Sequence, residues 1–435
     1  MYIINIIIFS VIVIPYTVVY IKKYKLTPVS VFLTMEISYF FGICLAPKGK
    51  LDVAIKLETI YVVALFFFIL GVEFSKRLKS KKIYDDFIPF VDNVETHNQS
   101  IAIWIIIFIS ILLCSYLFAK GGTNVFLRSL QDLFSGSSGV YKSERRKFFS
   151  VSGMGYIYQF RAILLPILTI YVAYCSKRKL PKFIALALLI LMLVFLLGTG
   201  QRNAFVFFCL IVLLYSITMQ MKYNIIVFSK KQYIIMGVAA GVFLVALTIG
   251  NGRVSSDGNI ITGAIESLVD RISGVNQRTA INAFSYIDEQ PTSWGYDWLM
   301  TIRDILPGKS GYLTVSRITY YLAYGTYRGT GDPCIWGSAW YNFNFIGVTF
   351  FPFLIGWLYH REYKKMVSTP YKNRLYMLIY SGLSVYLGLW VYGTPMNLFN
   401  IGVVSLLFLR FLLFNILDHK TGGIKITVKK DFRIK

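Results

Sequence analysis

The feature that most constrains this chain is a series of apolar runs, each long enough to cross a lipid bilayer. Roughly 18 or more apolar residues can span a membrane as a helix, because in hydrocarbon only a helix satisfies its own backbone polar groups. The runs lie near 2–21, 28–46, 55–73, 101–119, 157–175, 182–200, 203–220, 232–250, 337–358, 374–393 and 397–416.

Composition agrees with this interpretation, since 56% of the residues are hydrophobic and the mean hydropathy is +0.59. These values lie outside the range of soluble globular domains. The sequence therefore predicts an all-α integral membrane protein in which residues 1–435 form a single polytopic domain. About eleven transmembrane helices are expected, with a range of about ten to twelve.

The Lys and Arg residues between the runs predict the orientation, because cytoplasmic loops carry the excess of these residues. The clusters follow odd-numbered runs, as in "KKYK" (22–25), "SKRLKSKK" (75–82) and the basic tail 417–435. The N-terminus and the segments 120–156 and 251–336 are then external, and the tail is cytoplasmic. Topology and contact with anionic membrane lipids explain the net charge of +24, so no nucleic-acid partner is expected.

The external segments are rich in Arg, whose planar fork suits bidentate contact with phosphate. The external face is therefore predicted to hold anions. The residues concerned are Arg128, Arg145, Arg146, Arg202, Arg253, Arg271, Arg278, Arg303, Arg317 and Arg328. The alternative is that these side chains pair with nearby carboxylates, which are Asp257, Glu266, Asp270, Asp288, Glu289, Asp297, Asp304 and Asp332.

Apolar residues recur at helical spacing over 260–287, which predicts an amphipathic helix in the large external segment. At 100° per residue, Arg271 and Arg278 project within about 20° of each other. Further along, "ITYYLAYGTYRGTGD" (318–332) contains Tyr320 and Tyr324. Such aromatic side chains could stack on sugar rings or form an interfacial belt.

Motifs for metal and nucleotide sites are absent from the sequence: it contains no CxxC, HExxH, EF-hand, P-loop or GxSxG pattern. We therefore expect no metal and no cofactor. The three histidines, His97, His360 and His419, fall on the predicted cytoplasmic side. A general base on the external face would accordingly be a carboxylate.

Three segments carry a resemblance to a known family. They are the hinge "GTGQRNAF" (198–205), the stretch "GYDWLMTIRDILPGK" (295–309) and "SAWYNFNFIGVTFFPFLIGW" (338–357). Together with the overall plan, they resemble the Wzy-type O-antigen and capsule polymerases, which polymerise oligosaccharide repeat units. The last segment departs from the family's "E-x-x-x-NFG-x-x-G" pattern, because Asn344 replaces a Gly and no Glu lies near Ser338. We assign that segment no catalytic role.

The resemblance implies a glycosyltransferase of the bacterial inner membrane. It would transfer a growing glycan from undecaprenyl pyrophosphate to a sugar hydroxyl of the next lipid-linked repeat unit, at the outer face of the membrane. Its partners would be undecaprenyl-pyrophosphate-linked oligosaccharides and membrane lipids, with a chain-length regulator and a flippase as further candidates. The N-terminus would be periplasmic.

Motif positions in related lipid-pyrophosphate ligases imply which residues form the site. An Arg at the end of a span matches Arg202, and a second Arg in the long loop matches Arg278, with Arg271 next. Independently of these motifs, a base would be one of the external carboxylates, and Asp304 and Asp270 are preferred over Asp257, Asp288, Asp297 and Asp332. The alternative is a mechanism that relies mainly on stabilisation of the leaving group. The expected substrate-binding residues are Gln201, Arg253, Arg128, Arg303, Arg317, Tyr320 and Tyr324.

Three other functions remain open at this stage. A glycan ligase would use the same donor with another acceptor, and the lack of an external His argues modestly against it. A lipid-linked oligosaccharide flippase would place cations deep within spans and would not need the long segment 251–336. A non-catalytic assembly protein would have fewer spans and typically a coiled coil.

Overall fold

The computed structural model describes most of the chain. The described residues are 2–45, 51–78, 95–122, 124–128, 131, 147–148, 150–151, 153–176, 178–250, 260–270, 274–306, 308, 311–327, 329–369, 373–391 and 393–417.

Helices follow one another along the first part of the chain, and each of the first eight apolar runs falls on one of them. Six helices of the described chain are long and apolar enough to cross a membrane, and three further apolar helices are shorter. The first eight helices are α1 (Tyr2–Tyr24), α2 (Pro28–Cys44), α3 (Leu51–Arg77), α4 (His97–Gly121), α5 (Met154–Cys175), α6 (Lys182–Leu197), α7 (Arg202–Tyr223) and α8 (Lys230–Gly250).

The long loop, residues 251–336, contains short helices, and a second set of spans follows it. The segment predicted as one amphipathic helix is helical in both of its described parts, α9 (Ile260–Asp270) and α10 (Asn276–Ile287). The remaining helices are α11 (Tyr296–Arg303), α12 (Val315–Tyr324), α13 (Ile335–Ser368), α14 (Arg374–Gly388), α15 (Met396–Asn400) and α16 (Val403–Ile416). The described residues thus form an all-helical membrane protein, and the number eleven stays a prediction.

The bundle has two chemically different ends. At the end we call the basic end, Arg410 of α16 pairs with Glu362 of α13 at 2.7 Å. There the Tyr20 hydroxyl and His360 Nδ1 also lie 2.9 Å apart. At the opposite end, which we call the long-loop end, the Tyr39 hydroxyl of α2 donates to the Asn276 carbonyl at 3.1 Å. The helix ends predicted to be cytoplasmic meet at the basic end.

Helices α3 and α13 form the closest pair in the bundle, because glycines let their backbones touch. A Cβ on Gly71 would stand 2.0 Å from the Phe353 carbonyl oxygen, and one on Gly356 would stand 2.1 Å from that of Phe68. Small residues permit such close approach between membrane helices. Helix α10 of the long loop contacts α3 of this pair, and α11 contacts α13.

Helix α13 is sharply kinked at Asn344, whose backbone has φ 51° and ψ −131°. Its first part, residues 335–343, begins deep in the bundle, where Trp336 is fully buried and lies edge-on to Phe32 of α2, with ring centroids 6.0 Å apart. The chain therefore leaves the long loop inside the bundle, rises to Asn344 and then crosses toward the basic end.

Candidate functional site

The hinge between α6 and α7, residues 198–201, is held from the side by the start of the segment 120–156. The Val125 N–H donates to the Gly198 carbonyl at 2.8 Å, and the Asn124 amide donates to the Val194 carbonyl at 3.2 Å. Gly198 allows this close packing, because a Cβ there would stand 2.4 Å from the Phe118 ring and 2.5 Å from the Asn124 amide, and these side chains would have to shift. The hinge is thus a fixed turn.

Arg161 of α5 holds the hinge from the other side, and the sequence analysis missed it. Its side chain is fully buried, and its Nη1 donates to the carbonyls of Phe195 at 3.2 Å and Leu196 at 2.8 Å. Its Nη2 donates to the Gln201 side-chain oxygen. An ionisable residue inside an apolar run indicates function by itself, and that signal was available in the sequence.

A π-helical turn, Phe160–Leu164, contains Arg161. Pro166 follows this turn and has no N–H to donate, so the regular helical hydrogen-bond pattern cannot continue through it. π-Turns within α-helices occur frequently at functional sites. The local sequence therefore explains why α5 deviates from regular geometry at the residue that touches the hinge.

Arg202, the first expected catalytic residue, is the first residue of α7, directly after Gln201. The structure describes its backbone, whereas its side chain lies outside the described part. Arg128 is exposed near the hinge, on the helical turn that follows Asn124. Gln201 and Arg202 thus lie at the hinge, and Arg128 lies on the segment whose Val125 N–H binds the hinge.

Arg278 and Asp270, both expected catalytic residues, bind each other. Arg278 Nη2 lies 2.9 Å from Asp270 Oδ1 and 2.8 Å from Oδ2. Their side chains are 43% and 50% exposed, so water screens the pair. The alternative considered above, in which loop arginines pair with loop carboxylates, holds for this Arg in the structure.

The other expected residues are spread over the long loop. Arg303 ends α11 and Asp304 follows it, while Arg317 is exposed on α12. Tyr320 and Tyr324 of α12 contact each other, with ring centroids 4.6 Å apart. Arg253 and Arg271 lie outside the described residues. Gln201 accepts a hydrogen bond from Arg161, and Arg278 donates to Asp270.

The segment around Asn342, to which the sequence analysis gave no role, organises the loop. The Asn342 side-chain oxygen accepts from the Ser293 hydroxyl at 2.9 Å and from the Trp298 N–H at 3.2 Å. Ser338 accepts from the Trp298 indole N–H at 2.8 Å. These bonds fix α11, which carries Arg303, onto the first part of α13.

Asp297 is a structural carboxylate within this assembly. It is buried, and its Oδ1 accepts from the Val315 N–H at 3.0 Å at the start of α12. Burial raises the pKa of the Asp297 carboxyl above its ordinary value, while the bond from Val315 opposes that rise. Because this oxygen is occupied in holding α12, Asp297 is a weaker candidate for a base than Asp304 or Asp270.

Apolar helices of membrane-spanning length and a long loop packed on one end of the bundle define a multi-pass membrane protein. The family model described as "O-antigen polysaccharide polymerase Wzy" matches residues 125–416, and the chain belongs to this family. The match includes the hinge, the long loop and the Asn342 segment. No curated protein and no solved structure matches the chain.

Membership of this family gives the coarse function. The protein is a membrane glycosyltransferase-like polymerase with a role in joining repeat units during polysaccharide biosynthesis. The family acts on lipid-linked oligosaccharide repeat units in membranes.

Proposed function

We propose that this polymerase transfers the growing glycan from undecaprenyl pyrophosphate to a sugar hydroxyl of the next lipid-linked repeat unit, at the outer face of the bacterial inner membrane. The hinge is the observation that carries the proposal. It presents Arg202 at the first turn of α7, within a turn fixed by Arg161 and Val125. The periplasmic N-terminus, the flippase and the chain-length regulator belong to the same proposal.

The reaction breaks the bond between the anomeric carbon of the donor and a phosphate oxygen, and forms a bond from that carbon to the acceptor hydroxyl oxygen. The electron pair of the broken bond remains on the pyrophosphate, and the hydroxyl proton passes to a base. Negative charge therefore grows on the leaving group in the transition state. Fixed Arg donors stabilise such charge without reorganisation.

Arg202 and Arg278 are the two cations that we assign to this leaving group, with Arg271 next in line. In the structure Arg278 is bound to Asp270, but half-exposed ion pairs contribute only about 0–1 kcal/mol. A pyrophosphate can therefore displace Asp270 at little cost, and the released carboxylate is then available as a base. Asp304 is the other candidate for that proton transfer.

The remaining residues would hold the two substrates. Gln201, Arg128, Arg253, Arg303 and Arg317 offer donors to phosphate oxygens. Tyr320 and Tyr324 offer ring faces and hydroxyls to the sugars. In the sequence these residues come from the hinge, the segment 120–156 and the long loop, as expected for a site that holds two lipid-linked chains at once.

Substitution of the two arginines tests the proposal. Arg202→Ala and Arg278→Ala should abolish polymer and leave single lipid-linked repeat units to accumulate, as seen on a gel of surface glycan. Arg202→Lys should also be impaired, because a point charge does not replace the bidentate fork. Arg361→Ala is the matched control, since this exposed Arg stacks on Trp357 in the part of α13 nearest the basic end.

Normal long-chain polymer in both alanine variants would refute the proposed site. Unattached polymer in the variants, instead of single repeats, would indicate a glycan ligase. Trapping of the intermediates on the cytoplasmic side would indicate a flippase.

A further inference from the structure

Arg161 brings a positive charge into the bundle, and no carboxylate within the described part of the chain pairs with it. Its side chain is fully buried, and its hydrogen bonds go to two backbone carbonyls and one amide oxygen, all of them uncharged. Its Nε is buried and has no hydrogen-bond partner among the described residues. By comparison, the buried Arg410 at the basic end pairs with Glu362 at 2.7 Å.

A purely structural role explains part of this arrangement. The carbonyls of Phe195 and Leu196 belong to the last turn of α6, where carbonyls lack partners within the helix and cations are favourable. Helix capping needs only Nη1, however, and the end of a helix offers only about half a negative charge. A buried guanidinium is strongly disfavoured unless a full counter-charge accompanies it.

The Gln201 amide shows where that counter-charge would bind. Because its oxygen accepts from Arg161, its NH₂ group is directed away from Arg161. Gln201 also immediately precedes α7, a helix of 22 residues whose first N–H groups have no backbone partners within the helix. The Ala204 N–H donates to the Asn203 side-chain oxygen at 3.1 Å. Amide donors, the helix N-terminus and a buried cation thus meet at one point beside Arg202.

We propose that Arg161 is a positioning residue of an anion site at the hinge, and that the diphosphate group of the lipid-linked substrate supplies the missing counter-charge. Arg161 orients Gln201, and its buried charge strengthens the attraction of the site for the anion. The choice of a diphosphate rests on the function proposed above. Arg161 itself stays behind the Gln201 side chain.

The proposal is tested by a substitution that introduces a carboxylate of the protein itself as the counter-charge of Arg161. In Gln201→Glu a carboxylate would pair with Arg161, so the melting temperature of the purified protein should rise and diphosphate binding should weaken at least tenfold. Gln220→Glu is the matched control, because it makes the same change at an exposed position near the other end of α7. It should alter neither property.

Binding is measured by calorimetry in detergent with two separate probes, inorganic pyrophosphate and undecaprenyl pyrophosphate. Weakening of both probes supports a site for the diphosphate group itself. Wild-type affinity for the lipid probe in Gln201→Glu would overturn the proposal. Arg161→Gln, compared with Arg410→Gln, gives a second measurement: both variants lose a buried Arg, but only the first should lose diphosphate-induced stabilisation.

The outcomes also separate this inference from the proposed function. If Arg202→Ala abolishes polymer while Gln201→Glu binds diphosphate as the wild type does, the anion site at Gln201 is wrong and the polymerase site stands. If Gln201→Glu loses binding while Arg202→Ala and Arg278→Ala still make polymer, the anion site stands and the catalytic assignment of those arginines is wrong.

Discussion

Asp270 has two proposed roles that a single substitution can separate. As the partner of Arg278 it competes with the substrate for that guanidinium, and as a base it takes the proton of the acceptor hydroxyl. The bidentate geometry, with distances of 2.9 and 2.8 Å, shows that both carboxylate oxygens face Arg278. A carboxylate in this position can act as a base only after the pair has opened.

Asp270→Asn should therefore strengthen binding of the lipid-linked donor if the residue is mainly a competitor, because a neutral amide holds Arg278 less tightly. If it is the base, binding should be retained and the rate of polymerisation should fall by about 100-fold or more. The affinity for undecaprenyl pyrophosphate and the polymerisation rate, measured on the same preparation, distinguish the two roles.

Asp288→Asn is the control for this comparison, because Asp288 forms an ion pair with Lys56 of α3 and also lies in the long loop. It should leave both quantities close to the wild-type values. Unchanged binding and unchanged rate in Asp270→Asn would remove Asp270 from the site altogether.

Helix α13 shows how one element depends on one backbone conformation. Asn344, with φ 51° and ψ −131°, occupies a region that glycine adopts readily and other residues rarely do. The resemblance described above predicts Gly at this position, so the departure changes the residue but keeps a glycine-like backbone. The kink allows Asn342 and Ser338 to bind α11.

Asn344→Gly should accordingly stabilise the protein by about 1 kcal/mol, while Asn344→Ala should destabilise it by about 1–3 kcal/mol. Asn224→Gly is the control: Asn224 has φ 55° and ψ 26°, a left-handed conformation that Asn tolerates well, so little change is expected there. Thermal unfolding in detergent measures the stability of the three variants relative to the wild type. Equal stability of Asn344→Gly and Asn344→Ala would show that the conformation is not strained.

The sequence predicted elements better than contacts. Apolar runs predicted an all-helical membrane protein, because insertion in a bilayer is a property of composition, and helical spacing predicted the helical residues within 260–287. The number of spans stays a prediction. The kink at Asn344 and the Arg161–Gln201 bond were not predicted, since both depend on which helices become neighbours. Arg161 lies inside an apolar run, where a charged residue is most costly, and this position is the sequence signal for its role.

The site residues show the same limit. Sequence position identified Gln201 and Arg202 as parts of a hinge, and the structure gives that hinge two sets of anchors. The sequence could not predict which loop carboxylate Arg278 would bind, because the pairing with Asp270 depends on the fold of the long loop. The proposed roles of Arg253 and Arg271 remain predictions.

On the scale of the whole molecule, contacts divide the helix ends between a basic end and a long-loop end, and the charge pattern predicts which end is outside. Single-cysteine labelling can test this. Leu306→Cys, at a site that is 64% exposed beside α11, should react with a membrane-impermeant maleimide in cells whose outer membrane is permeabilised. Arg361→Cys, on the part of α13 toward the basic end, should react only after the inner membrane is disrupted.

The parent protein gives the baseline for this labelling, because none of its five cysteines is exposed in the structure. Labelling of Arg361→Cys before disruption, with protection of Leu306→Cys, would reverse the predicted orientation.

The length of α6 has a consequence for side reactions. Its 16 residues extend about 24 Å, whereas the hydrocarbon core of a bilayer is about 30 Å thick. If α6 starts at one surface, the hinge that follows it stops roughly 6 Å short of the other. An activated sugar held at that depth meets less bulk water, which would otherwise compete with the sugar hydroxyl and waste the donor by hydrolysis. A hinge below the membrane surface thus favours transfer of the glycan to the acceptor hydroxyl over hydrolysis of the lipid-linked donor.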